Sequence, residues 1–210
     1  MTSVMAGCRG PMHSRTTMPI DAMPSTAVAQ PPPEAAPAPA FETLDQLVDH
    51  LLDTHHVFTK AAIARLPPLA DQVLAAHGAR HTELEQVARL VDDLVADLRP
   101  HLLKEEMVLF PYIRSLAEDA RAGQPAPRAP FGTLDSPIAC MLAEHDRVAE
   151  ILDELRLRTG GYGPPPDACG SFRALYAELA ELEADLRQHI HLENDVLFPG
   201  ARALERSAGR

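Results

Sequence analysis

The chain has 210 residues, a formal net charge of −11, no tryptophan and an aromatic content of 4%. That length allows one well-buried domain plus a tail. The acidic balance leaves no basic stripe to displace counterions from a phosphate backbone, which argues against nucleic acid as a partner. No apolar run is long enough to span a bilayer, and no β-branched run of period two suggests a sheet.

Residues 1–40 are rich in Pro, Ala, Ser and Thr and end in Gln-Pro-Pro-Pro-Glu-Ala-Ala-Pro-Ala-Pro-Ala. Such a segment cannot bury enough apolar surface to offset the cost of ordering, and we expect a disordered tail. Val-Met-Ala-Gly-Cys8 has the look of a lipoprotein cleavage box but lacks a basic start and an apolar core before it, so the expectation is an unstructured cytoplasmic tail. Cys8, Cys140 and Cys169 form no C-x-x-C spacing. An odd count without a framework points to a reducing compartment, here the cytoplasm, and leaves any metal site to His and Glu.

From residue 41 onward Ala, Leu and Glu dominate, as in a helix bundle with an aliphatic core. The first helix is expected to begin at Thr43, where Thr43-Leu-Asp-Gln46 is a capping-box pattern, and carries Leu44, Leu47, Val48, Leu51 and Leu52 at helical spacing. Pro67-Pro68 should interrupt or kink it before a continuation to His77-Gly78, with Gly the expected residue just past a helix end. A second box, Thr82-Glu-Leu-Glu85, opens the second helix, whose apolar face holds Leu84, Val87, Leu90, Val91, Leu94, Val95 and Leu98. After a Gly/Pro/Ala segment at 122–131, Ser136-Pro137 should cap the third helix, which ends near Thr159-Gly-Gly. The fourth runs from about Ala168 to about Leu204, and Pro111 and Pro199 should kink the second and fourth. The fold class is all-α, an up-down antiparallel four-helix bundle over 41–205.

The second and fourth helices share a phrase. His101-Leu-Leu-Lys-Glu105-Glu-Met-Val-Leu-Phe-Pro111 and His189-Ile-His-Leu-Glu193-Asn-Asp-Val-Leu-Phe-Pro199 both fit H-x-x-x-E-x-x-V-L-F-P, and a His and a Glu four residues apart share one helix face. The repeat extends upstream to His56, 45 residues before His101, and to His145, 44 residues before His189. Two hairpins of matching length would bring His56, His101, Glu105, His145, His189 and Glu193 to one level. Burying four imidazoles and two carboxylates together without a cation would be costly. Imidazole nitrogen with carboxylate oxygen suits iron better than a soft-ligand metal, and a glutamate can bridge two ions, so the set has the stoichiometry of a carboxylate-bridged di-iron or di-manganese site.

The remaining histidines fit less well. His77 lies 21 residues after His56, or ~31 Å along a helix, and reads as a helix-end histidine favoured by the dipole. His50, His55, His81 and His191 fall outside the repeat, with His55 and His191 beside candidate ligands on other faces. Glu106 and Asn194 each follow a candidate bridging glutamate, where they could orient an imidazole or lie on a solvated face.

These motifs make the chain similar to the hemerythrin-type (HHE) cation-binding proteins, and within them it most resembles the RIC proteins, the di-iron proteins for repair of iron centres. The resemblance covers Phe41 to about Ala203. It is carried by Leu-Val-Asp-His-Leu-Leu-Asp-Thr-His-His56 with the downstream Leu-Pro and His77-Gly, by the two H-x-x-x-E phrases, and by Pro137-Ile with Met-Leu-Ala-Glu-His145-Asp. It implies a hemerythrin-like bundle with a di-iron centre at the six named positions and a role in restoring iron–sulfur clusters damaged by nitric oxide or oxidants, by supplying iron. The family also keeps a histidine at the position of His77. RIC proteins commonly carry a small N-terminal domain with paired cysteines, replaced here by the Pro-rich segment with its lone Cys8, so the resemblance does not extend to that domain.

The implied partners are damaged or apo iron–sulfur proteins and small ligands such as oxygen or nitric oxide, with no nucleic acid and no membrane. The same residues could serve a module that binds or senses oxygen or nitric oxide, or a protein that reduces nitric oxide. Oxygen-carrying hemerythrins use an H-x-x-x-H on the third helix, whereas His145 is followed four residues later by Ala149, which disfavours reversible oxygen storage. No nucleophile triad, phosphate loop or substrate pocket is recognisable, so the reading is an iron donor rather than a conventional enzyme.

Overall fold

The computed structural model describes residues 41–208, and the tail expected at 1–40 lies outside them. Among the described residues every regular element is helical: α1 (Leu44–His50), α2 (Val57–His77), α3 (Glu83–Lys104), α4 (Phe110–Arg121), α5 (Asp135–Arg158), α6 (Gly170–His191) and α7 (Phe198–Ala208). π-Helical segments Leu51–His56, Glu105–Leu109 and Leu192–Leu197 join α1 to α2, α3 to α4 and α6 to α7. The result is four rods, 44–77, 83–121, 135–158 and 170–208. α2 packs on α3 and α6, and α3 on α5, while α4 packs on α1 and α7. This is the up-down bundle expected of the pattern, and no described helix is long and apolar enough to cross a membrane.

Several local expectations change. Thr43 caps α1, accepting from Gln46 N at 3.5 Å, but the Gln46 side chain reaches back to Glu42 N at 3.1 Å instead of closing the box on Thr43. Thr82 has helical dihedrals and makes no side-chain cap. α5 starts at Asp135, one residue before Ser136, and the Leu134 N–H ahead of it donates to both Glu205 carboxylate oxygens at 3.1 and 3.2 Å. A carboxylate brought in by the fourth rod thus does the work expected of Ser136. Gly78 keeps a right-handed conformation at φ −57°, whereas Gly160 and Gly161 take φ of 60° and 75° to end α5. α2 runs through Pro67 and Pro68 without a break, because packing on two neighbours outweighs the local loss of N–H groups.

The core is divided in two. One apolar cluster holds Ile63, Leu66 and Val73 of α2, Val91 and Leu94 of α3, Leu152 and Leu155 of α5 and Phe172, Leu179 and Leu182 of α6. The other holds Leu47 and Leu51, Phe110, Ile113 and Leu116, Ile138 and Met141, and Leu197 and Phe198. On every rod the residues singled out by the repeat fall between the two. A buried polar layer of His55, His56, His101, Glu105, His145, His189 and Glu193 therefore lies between two aliphatic cores.

Candidate metal centre

The three π-helical segments coincide with this layer. Each contains a residue of it, His56, Glu105 or Glu193, and α5, which contributes His145 alone, has none. A π turn inserts one residue into the helix and re-aims the side chains beyond it; such turns concentrate at functional sites. Pro111 and Pro199 stand two residues after the ends of two of them. The third has no proline near it, so proline is not the common cause.

The six residues converge into two groups, His56–Glu105–His189–Glu193 and His101–Glu105–His145–Glu193, whose donor atoms lie within 4.8 Å of one another in each group. Glu105 and Glu193 belong to both. Glu105 Oε2 is 3.4 Å from His56 Nε2 and 3.4 Å from His101 Nε2. Glu193 Oε2 is 3.1 Å from His145 Nε2, and its Oε1 is 3.1 Å from His189 Nε2. Both carboxylates are fully buried. Glu105 Oε1, Glu105 Oε2, Glu193 Oε2 and His56 Nε2 have no hydrogen-bond partner. The interior thus collects lone pairs rather than donors, and this nitrogen and oxygen set fits iron: His56 and His189 could hold one ion, His101 and His145 a second, with both glutamates shared.

The outer nitrogens explain why the inner ones are bare. His56 Nδ1 donates to Glu106 Oε1 at 2.7 Å, His101 Nδ1 to Glu144 Oε2 at 2.9 Å, and His145 Nδ1 to Asn194 Oδ1 at 2.8 Å. An ionised carboxylate only accepts, so on His56 and His101 the proton sits on Nδ1 and the Nε2 lone pair faces inward. The chain contains two lysines, Lys60 and Lys104. Both clamp these carboxylates: Lys60 Nζ is 2.5 Å from Glu106 Oε1, and Lys104 pairs with Glu144. Glu106 and Asn194 therefore orient imidazoles; Glu144 and the lysines lacked a sequence signal beyond adjacency to a candidate ligand.

Electrostatics divide the imidazoles: burial acts to lower His145, but Glu193 and Asn194 outweigh it and raise it. Burial, reinforced by neighbouring imidazoles, lowers His56 and His101 to about 4, so both are neutral and able to coordinate. Burial and the charge of Glu193 push the Glu105 carboxyl well above the ordinary range. Burial also acts to raise Glu193, but His189 and His145 outweigh it and hold that carboxylate well below. The two carboxylates are thus pushed in opposite directions, and a cation shared between them would favour the ionised form of both.

The structure separates the other histidines. His77 is buried at the far end of α2, its Nε2 3.0 Å from Cys169 Sγ and its ring 5.2 Å from Phe172, and it belongs to neither group. His81 pairs with Glu83 and Asp167, His191 with Asp195, and His50 with Thr54. His55 is the one that sequence reasoning misplaced. It is buried, its Nδ1 lies 2.9 Å from Asp185 Oδ1, and its ring stacks on His189 at 5.5 Å. The available signal was its place in the repeat, where residue 55 before His56 corresponds to Glu144 before His145.

Comparison with known proteins follows the same lines. The family described as Hemerythrin HHE cation binding domain matches residues 47–201. The chain is 37% identical over 158 residues to the iron-sulfur cluster repair protein DnrN of Neisseria gonorrhoeae, covering 75% of this chain and 90% of that protein. It is 32% identical over 162 residues to the iron-sulfur cluster repair protein YtfE of Escherichia coli O157:H7, covering 77% of this chain and 68% of the other. A probable iron-sulfur cluster repair protein of Haemophilus influenzae is 32% identical over 154 residues, 73% of this chain and 63% of that one.

Proposed function

The chain belongs to the hemerythrin HHE cation-binding family, and from that premise we propose that it is a non-haem di-iron protein that supplies iron to iron–sulfur clusters damaged by nitric oxide or oxidative stress. The observation that carries the two-ion reading is the sharing of Glu105 and Glu193 between the two His/Glu groups. The relatives named for iron–sulfur cluster repair support the direction of the chemistry. Bound iron would supply redox change and exchangeable coordination positions. The chain's part is to hold each position with two neutral imidazoles and two shared carboxylates, and to keep the imidazoles oriented from outside. Two protein nitrogens per position leave room for small ligands such as oxygen or nitric oxide. The partners in this reading are damaged or apo iron–sulfur proteins in the cytoplasm.

The test is reconstitution of the purified protein with iron under anaerobic conditions, followed by incubation with an apo or damaged cluster enzyme. Recovery of that enzyme's activity is expected, faster from the reduced protein because ferrous iron is held less tightly by neutral imidazoles, and lost in the His101→Ala and Glu193→Ala variants. Retention of all iron through repeated cycles of reversible oxygen binding, with no recovery of the cluster enzyme, would replace the repair reading with that of a carrier or sensor.

A further inference from the structure

The two halves of the polar layer are built to the same plan and finished differently. In the repeat, His56 corresponds to His145, His101 to His189, Glu106 to Asn194 and Glu144 to His55. Three of the four inward imidazoles have an acceptor on Nδ1: Glu106 for His56, Glu144 for His101 and Asn194 for His145. The fourth has none. His189 Nδ1 is buried without a hydrogen-bond partner, because the residue at the place of Glu144 is His55, which lies parallel to the His189 ring, 15° from coplanar, instead of accepting from it. The Nδ1 of His55 is committed to Asp185, and its Nε2 is itself unpartnered and buried. Each half has one lysine behind a carboxylate, Lys60 behind Glu106 and Lys104 behind Glu144, so the lysines do not distinguish the halves and the missing acceptor on His189 does.

An acceptor on the outer nitrogen does two things for a metal-binding imidazole. It fixes the tautomer that leaves the inner lone pair free, and it raises the basicity of that lone pair; loss of such a partner costs roughly 10–100-fold in metal affinity. The half made by His101 and His145 has both acceptors. The half made by His56 and His189 has one. Because Glu105 and Glu193 are common to both halves, they do not offset the difference.

We propose that the two ion positions are unequal, and that the one defined by His56 and His189 is the weaker and the first to be emptied when the protein gives up metal. The proposal rests on the two-ion reading of the six residues and adds to it which half is exchangeable and why. It also places the exchange at the face of the layer where His55, Asp185 and the half-buried His50 lie, since His50 packs edge-on against His55 at 5.3 Å.

The test uses the full-length protein loaded anaerobically with ferrous iron and equilibrated against a graded concentration of a ferrous chelator. Two steps of one iron each are expected, separated by roughly 10–100-fold in chelator concentration. Crystals grown with one equivalent of iron should show anomalous density between His101 and His145. His55→Gln restores an amide oxygen of the same reach as Glu144 and should draw the two steps together. Asn194→Ala removes the acceptor from His145 and should move the tighter step toward the weaker one, which keeps the comparison open should His55→Gln fail to fold. About two irons released in a single step, or single-equivalent density between His56 and His189, would overturn the inequality while leaving the two-ion centre standing. Absence of bound iron would overturn both. Unequal steps without recovery of a cluster enzyme would uphold the inequality and remove only the repair reading.

Discussion

His101 Nε2 and His145 Nε2 face each other at 3.2 Å inside the bundle. Their Nδ1 atoms are engaged by Glu144 and Asn194, and the inner nitrogens share the buried layer with Glu193, whose Oε2 is 3.1 Å from His145 Nε2. Four imidazoles and two carboxylates buried together at low dielectric are costly to keep without a cation against them. Stripping the metal should therefore destabilise the fold. A ligand present at about 1,000 times its dissociation constant stabilises by about 4 kcal/mol, which for a domain of this size corresponds to a shift on the order of 10 °C in Tm. Differential scanning calorimetry of the iron-loaded and chelated protein should show this loss, and equal melting temperatures would contradict the metal assignment.

Glu105 and Glu193 are each shared by both groups, whereas each histidine serves one. Glu105→Gln and Glu193→Gln are expected to lower occupancy at both positions, and His56→Ala chiefly at one. Metal analysis after exchange into a mild chelator should give well under one iron per chain for the glutamate variants and about one for His56→Ala. Equal losses from all three would show that the carboxylates do not bridge.

The bundle and its six polar residues were legible because the same spacing is written twice. One H-x-x-x-E marks a helix face; a second copy at the same distance from an upstream histidine places both faces at one depth. What stayed hidden depends on contacts between rods. The π turns arise where His56, Glu105 and Glu193 are drawn into one layer, and no residue at 51–56 breaks the α-helical pattern in advance. Glu205 capping Leu134 joins residues 71 positions apart, so Ser136 looked like the better local cap. His55 reads as an ordinary neighbour of His56 until the ring of His189 is seen against it.

Residues 1–40 precede the family match at residue 47. Their removal is expected to leave iron content and melting temperature unchanged, since a segment of Pro/Ala-rich composition is not expected to bury a core. Loss of folding in the truncated protein would move the domain boundary upstream.

Glu183 is a buried carboxylate outside the metal layer, 3.0 Å from Arg156 Nε and 2.7 Å from Arg187 Nε. Burial acts to raise its pKa, but the hydrogen bonds it receives outweigh that and hold it below the ordinary carboxylate value of 4.5. Because the folded-state value is the depressed one, its contribution is fully present above 4.5 and is lost as pH falls through the folded value. Glu183→Gln should cost about 2 kcal/mol at neutral pH. The gap between wild type and variant in urea unfolding should narrow below pH 4.5; a gap independent of pH would mean that the ion pairs contribute nothing.

His77 separates family position from coordination. Its ring is buried at the end of α2 remote from the polar layer, against Phe172 and Cys169, and its Nδ1 has no hydrogen-bond partner. A residue in that setting acts on packing. His77→Phe keeps the ring and removes two buried polar atoms, so it should bind about two irons, release them in the same steps as the wild type, and change stability by no more than about 1 kcal/mol. His77→Ala opens a cavity and should cost about 2–4 kcal/mol with the same iron content in the folded fraction. If His77 coordinates iron in any state of the protein, both variants will instead lose metal or shift the visible spectrum, and the loss will not scale with their different effects on folding.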